Sequence, residues 1–502
     1  MATDNHTSGG AVPGLRRSLG LAELLLCGII MVQPTAPMPL FGVAAVTARG
    51  HVVTTILIGM VAMLLTAISY GRMARVYPSA GSAYTYVGRE LHPGLGYLTG
   101  WSMLFDYVMN PLICVIWCSK AALNFVPQVP QPVWLVFFAA LFTMLNLRGI
   151  KASARTNALI AGALGLVILL FFAAAAHYIF LAALPAREFW RPFYDPNTFN
   201  FGAVSNGVSL AVLTYIGFDA ISTLSEEAVN PRRNIMLATV LTCLVTGLLA
   251  AAQVYAGQLI WPDYTTFPDA DTAFVHVAGR AGGPTLFFVV NLSLLVASIG
   301  SGAGAHLAAG RLLYGMGRDN AIPKRFFGAL DPKTRIPRNN VLLVGALALV
   351  GGFLMDYEMG AQLLNFGALI GFMGVNLSAL ARCSPPDGKR NLAIFLLPAA
   401  GFLSCLPFYL PAAYGTPTVV GLLVSAIFVI YWVFCVRGRQ WSLGAFLPPV
   451  AGFLICFYIW LSLKPNAKVI GILWLATGFL YGAWKTRWFR DTIQFAEPTD
   501  DK

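Results

Sequence analysis

Residues 206–233, NGVSLAVLTYIGFDAISTLSEEAVNPRR, hold the side chains best able to do chemistry in this chain. The stretch is apolar enough to enter a bilayer, yet Gly217, Phe218 and Asp219 sit in its middle. Glu226 and Glu227 close it, ahead of Asn230-Pro231 and an arginine pair. A carboxylate inside a bilayer segment is costly and usually marks a cavity or pathway. With Gly217 beside it, the pattern predicts a helix that unwinds and offers backbone groups to a small solute. Such a break is tolerated only where it faces protein or water. Asp219, Ser222 and Glu226 share a helical face at i, i+3 and i+7. Asp219 is expected to accept an ammonium or a proton, or to cap the outgoing half-helix. Glu226 and Glu227 are read as a gate that pairs with a basic loop residue, or as a proton site.

A second break faces it. Gln33-Pro34-Thr35-Ala36-Pro37-Met38-Pro39 places three prolines inside the first apolar span, and proline removes a backbone donor and clashes with the preceding turn. Interrupted segments at corresponding places in two halves point to the central site of a secondary transporter. Gln33, Pro34, Thr35 and Ala36 are therefore assigned to one wall of a pocket, and Tyr215, Gly217, Phe218 and Asp219 to the other. The N–H groups of one half-helix and the carbonyls of the other suit the two ends of a zwitterion. On the third span, Asp106, Asn110, Trp117 and Lys120 fall in one arc at 100° per residue. Asp106 is expected to meet an amine or a proton, Tyr107 to form a side wall, and Lys120 to snorkel outward. Span eight carries Ser298, Ser301 and His306 in a run of small residues, which suits close helix packing; His306 reads as a packed histidine or a proton relay.

These residues need a polytopic helical scaffold, and the composition supplies one. Of 502 residues, 57% are hydrophobic and 11% charged, with mean hydropathy +0.70; a soluble chain is roughly a quarter charged. Apolar runs of about 20 residues indicate helices rather than barrel strands. Fourteen spans are predicted, with twelve as the alternative: 21–47, 52–75, 94–125, 132–147, 157–181, 203–228, 235–260, 285–310, 340–355, 360–381, 392–413, 418–436, 445–463 and 468–484. The +12 charge is no nucleic-acid signature, because the basic residues lie in short loops. Predicted cytosolic flanks hold 26 of the 33 Lys and Arg, external flanks six, and span three Lys120. That bias places both termini in the cytosol. The apolar segment after residues 1–18 is too long for a cleaved signal peptide. The eight cysteines are expected to stay reduced, and no Cys/His spacing completes a metal site. A late repeat, Phe395 to Cys405 against Phe446 to Cys456, reads as a duplicated helix pair.

Several motifs together resemble the amino acid–polyamine–organocation transporters. They are Tyr77-Pro-Ser-Ala-Gly-Ser-Ala-Tyr84, Asn146-Leu-Arg-Gly-Ile-Lys-Ala-Ser-Ala-Arg155, Gly217-Phe218-Asp219 followed by Glu226-Glu227 and Asn230-Pro231-Arg232, the Arg311 to Asp319 loop, and Asn365-Phe-Gly-Ala-Leu. Thr66-Ala-Ile-Ser-Tyr-Gly71 and Thr223-Leu-Ser-Glu-Glu227 look most like the bacterial putrescine-importer branch. The resemblance implies an all-α, leucine-transporter-like five-plus-five inverted repeat with alternating access. Residues 21–181 and 203–381 would form the two repeats, 392–436 an extra helix pair and 445–484 a C-terminal pair, with cytosolic tails at 1–20 and 485–502. Three positions depart from relatives. Prolines replace the glycine-rich first break of many amino-acid members, Pro39 stands where the putrescine type has Asp, and Leu164 where some proton-coupled members have Lys. In sodium-coupled relatives, hydroxyls on helix eight and carbonyls on helix one hold the ion, a role the resemblance would give here to Ser298 and Ser301. The resulting expectation is an amino-acid or amine permease of the plasma (inner) membrane, coupled to protons or else to sodium. A polyamine importer or an amino-acid exchanger is the alternative. No enzyme motif, ATP-binding loop or repeated channel filter is present in the sequence. No metal, cofactor or nucleic-acid partner is expected, and the sequence leaves oligomeric state open.

Overall fold

The computed structural model describes residues 19–77, 82–148, 154–182, 185–318, 322–332, 334, 336–382, 443–486 and 488. Within them regular structure is helical, apart from one parallel bridge between Leu19 and Ala228. The first crossing is α1 (Leu21–Val32) and α2 (Pro37–Thr47), bent by 52° at the break. Pro37 opens α2, where a missing N–H costs nothing. Then follow α3 (Val52–Val76), α4 (Ser82–Glu90), α5 (Pro93–Leu123), α6 (Gln131–Leu147), α7 (Ala154–Ala182) and α8 (Ala186–Trp190).

The second half begins with α9 (Phe201–Ala211), which tightens into 3-10 turns at Val212–Tyr215 and Phe218–Glu226 around the second break. It continues with α10 (Pro231–Ile260), a 3-10 turn at Tyr264–Thr266, α11 (Ala273–Arg318), α12 (Lys324–Phe327), α13 (Arg338–Leu354) and α14 (Tyr357–Arg382); α15 (Leu443–Leu461) and α16 (Pro465–Lys485) end the described chain. Among the described residues eight helices are long and apolar enough to cross a membrane, or nine if α1 with α2 is one bent span; α6, α13 and most of α15 are shorter apolar helices. Twelve of the expected spans fall on these helices. The pair 392–413 and 418–436, with the first copy of the duplicated unit, lies outside the described residues.

α11 is two helical stretches joined at a kink. The first starts at Ala273 and ends at non-helical backbone at Gly282 and Gly283 (φ 73°); the second follows from Pro284 and contains the expected span 285–310.

Small residues bring the helices that hold the site together. At Gly367 of α14, a Cβ would lie 2.5 Å from the Ser102 carbonyl of α5, and Ser102 Oγ donates to the Gly367 carbonyl at 3.1 Å. Asn365 Nδ2 donates to Ser209 O on α9 at 2.7 Å, so α14 grips the helix that leads into the second break. α15 docks on this frame through Thr66 of α3, which accepts from Asn376 Nδ2 at 3.0 Å and lies 3.4 Å from Cys456 Sγ.

Candidate functional site

The two breaks meet. At the first, Gln33 takes φ 65°, and Ala36 N and Met38 N bond back to Gln33 O and Thr35 O, both at 3.0 Å. Side chains from other helices hold the exposed backbone in place. Gln253 Nε2 of α10 donates to Pro34 O at 2.9 Å, and Gln33 Nε2 donates to Ala297 O of α11 at 3.2 Å. At the second break, Gly217 has φ 115°, a region closed to most L-residues. Its backbone presses on α1 so closely that a Cβ would lie 2.8 Å from Met31 O and 3.3 Å from Val32 N.

Beside this contact lies a cavity of about 640 Å³. Gln33 and Ala36 of the first break line it, with Leu213 and Ile216 from the second. Asn110, Cys114 and Trp117 face it from α5, Ser298 and Ser301 from α11, and Tyr357 from the start of α14. The polar stripe on α5 therefore turns inward. Walls of this mixed polar and apolar character suit a small solute held at a few fixed points.

Two carboxylates stand next to the breaks. Asp106 and Asp219 are each only 8% exposed, and their charges lie within electrostatic reach of one another. Neither pairs with Lys, Arg or His among the described residues. The Asp219 carboxyl faces the backbone N–H groups of Gly217, Asp219 and Ala220. It thus fills the positive end of the outgoing half-helix, although Gly217 rather than Asp219 occupies the cap position. Tyr70 of α3 and Tyr107 lie within reach of the same charge, and the buried Tyr70 hydroxyl has no hydrogen-bond partner.

Other residues expected at the site turn elsewhere. Tyr215 OH donates to Ile56 O of α3 at 2.7 Å, so its ring braces the bundle and does not wall the cavity. Phe218 is buried among Tyr70 and Phe372, with centroids 5.6 and 5.2 Å away. Ser222 Oγ donates to Asp219 O at 2.7 Å and meets Ser82 Oγ at 2.9 Å, stiffening the turn below Asp219. Thr35 is buried behind the lining. His306 is buried and its Nε2 lies 2.8 Å from Val341 O of α13, away from the cavity. Glu227 forms no ion pair among the described residues; Glu226 ends the second 3-10 turn, and its side chain lies outside the described residues.

The ends of the path are closed differently. Toward the outer end assigned by the charge bias, Trp117 Nε1 donates to Asp271 O at 2.9 Å, so a cavity-lining ring is tied to the α10–α11 loop. One turn on, Lys120 Nζ does not simply snorkel but pairs with Asp269 at 3.2 Å and Asp271 at 3.5 Å. At the other end two backbone bonds join the segments among the described residues: Leu19 N bonds to Glu227 O at 3.1 Å and Val229 N to Leu19 O at 2.8 Å.

Sequence reasoning missed Gln253, Cys114 and Tyr357. Gln253 was detectable as a lone amide in an apolar span, and Cys114 as the next turn of the Asn110 stripe. Nothing local marks Tyr357, which reaches the cavity only because α14 packs on α5.

The amino acid permease family profile matches residues 31–469. The low-affinity putrescine importer PlaP of Escherichia coli K12 is 31% identical over 95% of this chain and 96% of its own length. The branched-chain amino acid permease BcaP of Bacillus subtilis is 25% identical over 84% and 93%. The vacuolar cationic amino acid transporter 4 of Arabidopsis thaliana is 26% identical over 75% of this chain and 62% of that protein.

Proposed function

The chain belongs to the amino acid permease family, and from that premise we propose that it carries a small organic cation, a diamine or a cationic amino acid, by alternating access. The relatives are transporters rather than enzymes, and the apolar helices fit a multi-pass membrane permease. One observation carries the substrate reading: Asp106 and Asp219 are buried beside the breaks with no cationic side chain among the described residues to balance them. Buried charge left unpaired is costly, and a substrate ammonium removes that cost. Aromatic rings near Asp219 add a face for a cation.

A neutral α-amino acid held as a zwitterion is the second reading, favoured by the relatives named for branched-chain substrates. It needs free N–H groups for its carboxylate. Those at Gly217 to Ala220 already face Asp219, and Pro34, Pro37 and Pro39 thin them at the first break. The order of preference therefore moves from amino acids in general toward cationic solutes.

The same two carboxylates support a proton as the coupling ion, since a proton offsets their charge when substrate is absent. Ser298 and Ser301 in the cavity wall support the sodium alternative. The charge bias supports an orientation with both termini in the cytosol, and the plasma (inner) membrane is the site that goes with this reading. The test is competition in proteoliposomes holding the purified chain, with labelled putrescine as probe and a pH or sodium gradient imposed. Spermidine, lysine and arginine should compete, and leucine and isoleucine should not. Efficient competition by the neutral amino acids alone would overturn the proposal.

A further inference from the structure

A second pocket, of about 440 Å³, lies at the outer end, away from the transport cavity. Three loops build it: the turn after α2, the segment from α8 to α9, and the stretch after α10. Arg49 and Gly50, at φ 51° and 85°, turn the first loop into it. Gly50 packs so near Tyr264 that a Cβ would lie 3.2 Å from its ring, and Gln258 Nε2 donates to Gly50 O.

The polar groups of the pocket are unevenly matched. Arg191 is engaged by Asp195 at 3.0 Å and Glu188 at 3.4 Å. Arg49 has no ion pair or hydrogen bond from its side chain among the described residues. Gln258 is 5% exposed, and its Oε1 is buried without a donor. The pocket thus offers a cation to an oxyanion and an acceptor to an N–H group, beside two carboxylates. Its complement is a zwitterion.

The surroundings decide which zwitterion. The polar residues 188, 191, 195 and 198 alternate along the chain with large exposed aromatics: Trp190 at 73%, Tyr194, Phe199, and Phe201 at 69%. Amphipathic rings of this kind collect at the headgroup level of a bilayer. Trp190 and Phe201 thus present their rings outward, Tyr194 and Phe199 also pack on one another and on His51, and the charges of the segment line the pocket.

We propose that this pocket binds the headgroup of an ethanolamine-type phospholipid, with the phosphate on Arg49 and the ammonium against Gln258 Oε1 and the Asp195 carboxylate. A choline headgroup has no N–H to give Gln258. A glycerol headgroup leaves the negative charge of its phosphate against Glu188 and Asp195 without an ammonium between them. This site is independent of the substrate reading above.

The test places the full chain in nanodiscs of equal phosphatidylethanolamine, phosphatidylcholine and phosphatidylglycerol, then counts retained lipids by native mass spectrometry. Ethanolamine adducts should exceed each of the others several-fold, and R49Q and Q258L should bring the three to parity. R49Q changes an exposed side chain and keeps the test valid if Q258L does not fold; its gel-filtration profile and melting temperature should match wild type. Equal retention by the wild type, or an unchanged preference in R49Q, would overturn the proposal. So would loss of the adducts to a large molar excess of glycerophosphoethanolamine, which would make the ligand a soluble zwitterion.

Discussion

Gly217 lies flat against the Met31 carbonyl, at a distance that admits no side chain: a Cβ there would stand 2.8 Å from the oxygen. The contact joins the two interrupted helices, and its cost to any other residue is twofold. A φ of 115° is strained for L-residues by about 1–3 kcal/mol, and the methyl would have to push α1 away. Gly217→Ala should therefore reduce uptake about tenfold or more while leaving the bundle assembled. Uptake in proteoliposomes alongside size-exclusion profiles checks it; wild-type transport by G217A would show that the contact is not needed.

Asp106→Asn and Asp219→Asn each remove one of two buried charges without altering size. If both hold the substrate cation, each should weaken binding by about 2–5 kcal/mol, the usual range for truncating a buried charge pair. That corresponds to about a 30-fold or greater rise in Kd. Isothermal titration with putrescine reads it directly. Unchanged affinity in both variants would remove the carboxylates from the site.

Cys114 lines the cavity on α5, one turn beyond Asn110. A membrane-permeant thiol reagent should block transport, saturating substrate should slow the block, and Cys114→Ala should abolish it. The measurement is the rate of inactivation with and without substrate. Block that persists in C114A would assign the effect to another thiol, such as partly exposed Cys27.

Lys120 holds the outer loop through Asp269 and Asp271. A partly exposed ion pair is worth about 0–1 kcal/mol, so Lys120→Gln should shift the closed–open balance about twofold to fivefold toward open. Fluorescence quenching of a probe on the 261–272 loop reports the shift. Burial and the neighbouring Asp269 push the Asp271 carboxyl up. A value raised above the ordinary Asp value of about 3.9 means that the closed loop binds the proton more tightly than an open, solvated one, so acidification through that range should favour the closed loop, and this contribution should fade as pH rises. A probe signal unaffected by either change would show that the pairs do not latch the loop.

Much of this architecture is legible in the chain because the bilayer leaves few options. Prolines at 34, 37 and 39 exclude a continuous helix, and Gly217 beside Asp219 marks a second interruption within a run that must otherwise wind. The arc of Asp106, Asn110 and Trp117 needs only the 3.6-residue period. What stays hidden depends on packing between helices. Tyr215 turns to α3 because Ile56 O is there to receive its hydroxyl. His306 turns to α13 for the same kind of reason, and no local pattern announces either partner.

Because Leu19 is strung onto the peptide groups of Glu227 and Val229, the residue that leads into the first interrupted helix is tied to the end of the second interruption. Those two peptide hydrogen bonds are worth about 1 kcal/mol each, and the Leu19 side chain adds its packing on the core. Any parting of the two segments has this modest tether to undo.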